Sequence, residues 1–115
     1  MSDIEKLTKK VIKFRDDRDW KKFHNPKDLS ISLSLEAAEV LEHFQWKSPE
    51  EIKKYIKTNK KDLAGELADV LKYLLMLSHE LRIDLVKAVP LKMKKDAKKY
   101  PVEKYRGKHP KDTEI

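Results

Sequence analysis

The stretch Glu36-Ala-Ala-Glu-Val-Leu41 decides the fold, because it recurs thirty positions later as Glu66-Leu-Ala-Asp-Val-Leu71. Each copy carries an acidic residue at its first and fourth positions. On a helix, side chains three positions apart lie next to each other at about 5–6 Å, so each copy presents a pair of carboxylates. Leucine and valine recur around both copies at the helical spacing, which places each acidic pair beside a buried apolar stripe. The repeat therefore predicts two helices that bring four carboxylates to one site.

These four carboxylates belong to Glu36, Glu39, Glu66 and Asp69. In a partly dry seam they would repel one another and their pKa values would rise, unless cations neutralised them. Ligands that offer only oxygen favour Mg²⁺ or Mn²⁺ over zinc. A single pair of this kind is usually the solvated flank of an amphipathic helix, but two copies with matching flanks favour a metal site. We therefore predict a Mg²⁺ site, with Mn²⁺ as the alternative.

The composition limits the class of protein. A chain of 115 residues has the size of one domain. It contains no cysteine, no apolar run of about 18 residues and no secretory signal pattern. These features predict a protein of the cytoplasm, without disulfides and without a membrane partner.

Nearly all of the basic excess lies at the C-terminal end. The formal net charge is +7, and residues 87–115 carry ten Lys or Arg against four Asp or Glu. A basic segment attached to an acidic core suggests a polyanionic ligand whose phosphates meet both a metal and lysine. The same excess could instead bind nucleic acid or only keep the chain soluble, and both alternatives stay open at this point.

Dense Lys, Glu and Leu at a spacing near 3.6 predict an all-α protein. We predict five helices, at about residues 2–19, 27–46, 49–57, 60–81 and 84–99. Pro90 is expected to kink the fifth helix. Residues 1–100 would form the domain, and residues 101–115 a basic, irregular tail. A single antiparallel pair of helices cannot cover apolar stripes this wide, so we expect a helical bundle whose core is completed by oligomerisation.

Several short motifs carry a resemblance to a known family. They are Arg18-Asp-Trp20, Phe23-His24-x-Pro26, Phe44-Gln-Trp46-Lys47, Asp69-Val-Leu-x-Tyr73 and, further on, Lys92-Met followed by Tyr100-Pro101. In order and spacing, together with the two acidic pairs, they resemble the MazG-like all-α nucleoside triphosphate pyrophosphohydrolases, and specifically the dCTP pyrophosphatase branch. The resemblance covers roughly residues 14–101.

This resemblance implies Mg²⁺-dependent hydrolysis of a deoxynucleoside triphosphate, with dCTP or a related pyrimidine favoured, to the monophosphate and pyrophosphate. It implies a homodimer or homotetramer that removes surplus or modified nucleotides and has no nucleic-acid partner. The metal ligands would be the four repeat carboxylates, with Glu39 or Glu36 as the group that accepts a proton from water. The remaining implied residues are Trp20, His24, Trp46 and Tyr73 for the nucleoside, and Lys92 and Tyr100 for the phosphates.

One position departs from the family pattern. Asp96 stands four residues after Lys92, where the family usually has asparagine. We predict that Asp96 pairs with a lysine; contact with a metal or a different mode of phosphate binding are the alternatives.

Three other readings compete with this interpretation. A ferritin-like di-iron protein would need Glu-x-x-His on two helices, and neither His43 nor His79 has an acid three positions before it. A basic nucleic-acid-binding module would use residues 87–111 but leaves the acidic pairs without a role. A catalytically idle scaffold of the same fold would retain the helices alone. Without the resemblance, the aromatic residues would more often be packing residues and His24 incidental.

Overall fold

The computed structural model describes residues 1–109, and every regular element in that range is helical. In chain order the elements are α1 (Asp3–Asp17), a 3₁₀ turn (Lys21–Phe23), α2 (Pro26–Glu42), α3 (Pro49–Thr58), α4 (Lys60–Glu80), α5 (Leu85–Lys99) and α6 (Val102–Tyr105). The predicted all-α fold class is confirmed. Among these described helices, none has both the length and the apolar character that a membrane span requires.

Side-chain caps set the starts of four helices. The capping side chains, each of which accepts a hydrogen bond from a backbone N–H of the first turn, are Ser2, Asn25, Ser48 and Asp84. At α3 the cap is reciprocal, because the Ser48 hydroxyl accepts from the Glu51 N–H and the Glu51 carboxylate accepts from the Ser48 N–H, both at 3.2 Å. Caps of this kind are worth about 1 kcal/mol each and explain why the predicted starts of α1, α3 and α5 agree with the structure.

The predicted end of the second helix, at Trp46, is wrong. Helix α2 ends at Glu42, where the hydrogen-bond spacing shortens: the N–H of His43 bonds to the carbonyl of Val40 and that of Phe44 to the carbonyl of Leu41. The chain then continues as turns to Trp46. The apolar pattern runs on through Phe44 because that side chain packs edge-on against Tyr55 of α3, at 6.2 Å between ring centres.

Residues 1–82 form one compact unit, in which α4 is the central helix and α1, α2 and α3 each pack against it. The most deeply buried apolar side chains are Leu29 of α2 and Leu75 of α4, each 1% exposed. Helices α2 and α4 run in opposite directions, because His43 at the end of α2 approaches Glu66 near the start of α4. This is the antiparallel pair that the repeated acidic motif predicts.

The chain from Ile83 onward forms a second compact unit. Helix α5 contains Pro90 in its interior, as predicted, and is followed by α6. The rings of Tyr100 and Tyr105 meet edge to face, 5.1 Å apart. From its composition, the segment after Pro101 is predicted to be irregular. That prediction is wrong for Val102–Tyr105, which form α6. Residues 110–115 of the predicted tail lie outside the described residues.

Candidate active site

Three acidic side chains meet between α2 and α4. Glu36 and Glu39 come from α2 and Glu66 from α4, and each offers a carboxylate oxygen within 4.8 Å of the other two. We call these three residues the carboxylate cluster. Two of its oxygens, Oε2 of Glu36 and Oε2 of Glu66, are buried and have no hydrogen-bond partner within residues 1–109. Buried carboxylate oxygens without a donor are costly, and a divalent cation is a partner that would satisfy both.

The pKa values of the cluster also indicate a cation site. Burial, a hydrogen bond with Glu39 and the surrounding negative charges raise the pKa of Glu36. The hydrogen bond with Glu39, followed by burial, raises the pKa of Glu66, and His43 opposes this in part. Like charges held this close favour uptake of a proton or a cation. The residues present therefore fit a hard divalent metal ion.

Asp69, the fourth predicted ligand, lies beside the cluster. Its negative charge contributes to the raised pKa values of Glu36 and Glu66, so it is close to both. It does not belong to the group of oxygens within 4.8 Å, and one of its oxygens is 3.5 Å from Lys72 Nζ. The structure thus brings three of the four predicted ligands together and leaves Asp69 at the edge.

A cavity of about 260 Å³ opens between α1 and α4 in the same unit. Its lining residues are Lys10, Val11, Phe14, Arg15, Trp20, His24, Lys72, Tyr73 and Met76. Three of the four residues predicted to bind a nucleoside, Trp20, His24 and Tyr73, are among them. The fourth, Trp46, is not, and it is 86% exposed. The walls are mostly aromatic and apolar with a few polar groups, which is the usual make-up of a small-molecule site.

Sequence comparisons place the chain among known enzymes. Residues 31–114 match the model of the MazG-like family. The chain belongs to the MazG-like family. It is 36% identical to dCTP pyrophosphatase 1 of Bos taurus and 35% identical to that of Homo sapiens, over 97% of this chain and 68% and 67% of theirs. A pyrophosphatase of Archaeoglobus fulgidus has a crystal structure that matches with a TM-score of 0.82 at 42% identity, covering 88% of this chain and 94% of that one. The predicted class, a nucleoside triphosphate pyrophosphohydrolase, is confirmed.

Asp96, which stands where the family usually has asparagine, lies on α5 in the second unit. Asp96 forms an ion pair and hydrogen bond with Lys92, one turn earlier on α5, which is the lysine pairing that we predict. Both side chains are substantially exposed, so the pair contributes little to stability. It does reduce the positive charge that Lys92, an expected phosphate-binding residue of this MazG-like enzyme, offers to an anion.

A polar pair next to the carboxylate cluster was not predicted from the sequence. Nδ1 of His43 and the hydroxyl of Tyr55 form a hydrogen bond, and Nε2 of His43 lies 3.8 Å from an oxygen of Glu66. Residues that orient a ligating carboxylate from behind commonly tune a metal site. The spacing of His43, one turn after Glu39, was a signal for this position, whereas nothing in the sequence points to Tyr55.

Arg15 was missed as well, although it lines the cavity and is only 2% exposed. Its Nη1 lies 2.6 Å from Glu80 of α4, and its Nε and Nη2 both lie 3.0 Å from Asp16. Next to it, Nδ1 of His24 is buried without a partner in residues 1–109. Burial, followed by the positive charge of Arg15, lowers the pKa of His24, while Glu80 opposes the shift. His24 therefore presents a neutral imidazole to the cavity.

Proposed function

We propose that this enzyme hydrolyses a deoxynucleoside triphosphate, dCTP or a related pyrimidine, to the monophosphate and pyrophosphate in a Mg²⁺-dependent reaction. The observation that carries the proposal is that the carboxylate cluster and the aromatic cavity share helix α4. Glu66 belongs to the cluster and Tyr73 to the cavity, and seven residues of helix separate them by about 10 Å along the axis. A nucleoside with its phosphates can bridge such a distance, with the base in the cavity and the phosphates at the acids.

The carboxylates would hold the metal. Glu36, Glu39 and Glu66 converge with two buried oxygens that have no hydrogen-bond partner within residues 1–109. Asp69, whose negative charge acts on Glu36 and Glu66 from the edge of the cluster, would be the fourth ligand. A divalent cation, Mg²⁺ or Mn²⁺, would neutralise the triphosphate and acidify the attacking water when bound. Glu39, the most exposed of the three, is the side chain that we assign as acceptor of the proton from that water, with Glu36 as the alternative.

The nucleoside would lie between aromatic faces. Trp20 and Tyr73 provide surfaces on which a base can stack, and His24 provides a polar atom for its edge. The volume of about 260 Å³ is at the small end for ligand sites, which favours a pyrimidine over a purine. The relatives named dCTP pyrophosphatase 1 support the same choice.

We also propose that two or more copies assemble beside this site. Ile31 and Leu35 on α2 and Leu67 and Leu71 on α4 are between 36% and 61% exposed, although they flank the cluster. Within residues 1–109 only three apolar side chains, those of Leu29, Leu75 and Met76, are buried, so a second copy would supply burial that one chain lacks. Such a copy would also account for Trp46, which does not reach the cavity of its own chain.

The phosphate-binding roles of Lys92 and Tyr100 and a cytoplasmic location remain proposals on the grounds given by the sequence. Lys92 carries the charge that a triphosphate requires, and its partner Asp96 is exposed and therefore easily exchanged for phosphate. No feature of the described residues favours nucleic acid over a nucleotide as the polyanionic partner.

The experiment that tests the proposal is hydrolysis of each of the four standard deoxynucleoside triphosphates in ¹⁸O-labelled water with Mg²⁺. We expect dCTP to give dCMP and pyrophosphate, with the label in dCMP, since attack at the α-phosphorus places the water oxygen there. Glu39→Gln should abolish the reaction, while Glu42→Gln, an exposed acid on the same helix, serves as the matched control. Formation of a diphosphate, or label in pyrophosphate, would contradict the proposed bond cleavage.

A further inference from the structure

Arg15 is an unusual residue to find in the wall of an apolar cavity. Its side chain is 3% exposed, whereas arginines are almost never fully buried unless they are paired. Here the pairing is supplied by Glu80 from α4 and Asp16 from α1. The guanidinium is thus held in one orientation by two carboxylates, and its position is set before any ligand arrives.

The hydrogen-bond capacity of this guanidinium is not exhausted. Arginine has five N–H donors in a fixed plane. Contacts within residues 1–109 account for the Nε donor and for one donor each on Nη1 and Nη2. Two N–H groups are left, and Arg15 lines the cavity together with His24, whose Nδ1 is also unpartnered in this part of the chain. The cavity therefore has aromatic faces and one polar end, at which two N–H groups of Arg15 are available to a ligand.

We propose that Arg15 determines base specificity, donating these N–H groups to a ring nitrogen and the adjacent carbonyl oxygen of a cytosine. This inference rests on the proposed function and names the part of the substrate that the cavity reads. Cytosine carries acceptors at N3 and O2 side by side, and a guanidinium matches two adjacent acceptors well. Thymine and uracil carry an N–H at position 3. This donor would face an N–H of the arginine, and neither donor would have an acceptor.

Glu80 and Asp16 act as positioning residues in this scheme. They neutralise the buried guanidinium and fix its plane without lining the cavity themselves. His24, whose imidazole is neutral, can accept from or donate to the same base edge. The consequence is a preference that depends on acceptor atoms of the base and not on its 4-amino group.

The test compares kcat/KM for dCTP, dUTP and dTTP in the wild type and in Arg15→Lys. Lysine retains the positive charge opposite Glu80 but cannot form two parallel hydrogen bonds. We expect the ratio of kcat/KM for dCTP over dTTP to fall by about 10- to 100-fold. Arg82→Lys, an exposed arginine outside the cavity, is the matched control and should leave the ratio unchanged. An unchanged ratio in an active Arg15→Lys enzyme would overturn the inference.

Substrate analogues keep the test independent of the folding of any variant. The wild type should bind the monophosphate of 2-pyrimidinone deoxyribonucleoside, which retains N3 and O2 but lacks the amino group, within about threefold of dCMP. It should bind 3-methyl-dCMP at least about 10-fold more weakly, because the methyl group removes the N3 acceptor. Calorimetry on the intact protein measures both affinities. Tight binding of 3-methyl-dCMP would refute the role of Arg15, whereas a wild type that hydrolyses no deoxynucleoside triphosphate would refute the proposed function itself.

Discussion

The ion pair between Arg15 and Glu80 should be one of the largest single contributions to the stability of the first unit. It joins the end of α1 to the end of α4, 65 positions apart in the chain, with 2.6 Å between Nη1 and the carboxylate. Breaking a fully buried pair by removing one partner costs about 3–5 kcal/mol. Because the Glu80 side chain is 22% exposed, we expect Arg15→Met to lower the free energy of unfolding by about 2–4 kcal/mol.

A double-mutant cycle isolates the pairwise contribution. Glu80→Gln keeps an oxygen acceptor for Arg15 and should cost less than Arg15→Met, about 1–3 kcal/mol. If the pair is coupled as the geometry indicates, the double variant should cost less than the sum of the single variants, by about 1–2 kcal/mol. Urea denaturation followed by circular dichroism gives these values, at several protein concentrations so that any assembly is separated from folding.

The first helix supplies its own control. Lys13 and Asp17 form an ion pair at 2.8 Å on α1, but their side chains are 76% and 56% exposed. The same cycle on this pair should give a coupling of about 0.5 kcal/mol or less. A coupling for Arg15 and Glu80 no larger than that of Lys13 and Asp17 would refute the argument that burial strengthens the pair.

Three further predictions concern the cluster, α5 and α3. The pKa values of Glu36 and Glu66 are raised, so above pH 4.5 the metal-free folded state binds more protons than the unfolded chain, and stability falls as pH rises through the raised pKa values. Thermal melts in EDTA should show a larger loss of stability with rising pH for the wild type than for Glu66→Gln, and added Mg²⁺ should reverse it. A wild type whose stability rises over this range would contradict the assignment. Asp96→Asn should retain or increase dCTP hydrolysis because it frees Lys92, and a near-total loss in a steady-state assay would exclude simple lysine pairing. Ser48→Ala should lower the unfolding free energy by about 1 kcal/mol through loss of the reciprocal cap, while Ser34→Ala in the interior of α2 should show a much smaller change in the same denaturation experiment.

Much of the fold can be read from local chemistry. The caps at Ser2, Ser48 and Asp84 involve residues two or three positions away, so the sequence carries both partners of each interaction. The convergence of Glu36 and Glu39 with Glu66 could be predicted for a similar reason, since the matching motifs lie at corresponding places on two long helices. The end of α2 could not, because Phe44 continues the apolar pattern but packs against Tyr55, which belongs to another helix.

The parts of the site that sequence reasoning did not find depend on contacts between distant elements. A buried arginine at position 15 has no local signature, because its partner Glu80 is 65 residues away and ordinary surface arginines look the same in a sequence. The pair of His43 and Tyr55 likewise joins the end of α2 to α3. Trp46 shows the opposite limit: a motif identifies it, but within residues 1–109 it is 86% exposed and does not line the cavity.

In the proposed function, helix α4 is the element that would couple the chemistry to the choice of base. Along its length this helix carries Glu66 at the cluster, Tyr73 at the cavity, Leu75 in the core and Glu80 beside Arg15. Because a helix is stiff along its axis, the distance between the carboxylate cluster and the proposed base-binding end of the cavity is set by the spacing of residues in the sequence. The ion pair between Arg15 and Glu80 then ties that helix to α1. Under the proposed roles, discrimination between bases and alignment of the phosphates would depend on the same packing, and a change that shifts α4 should impair both together.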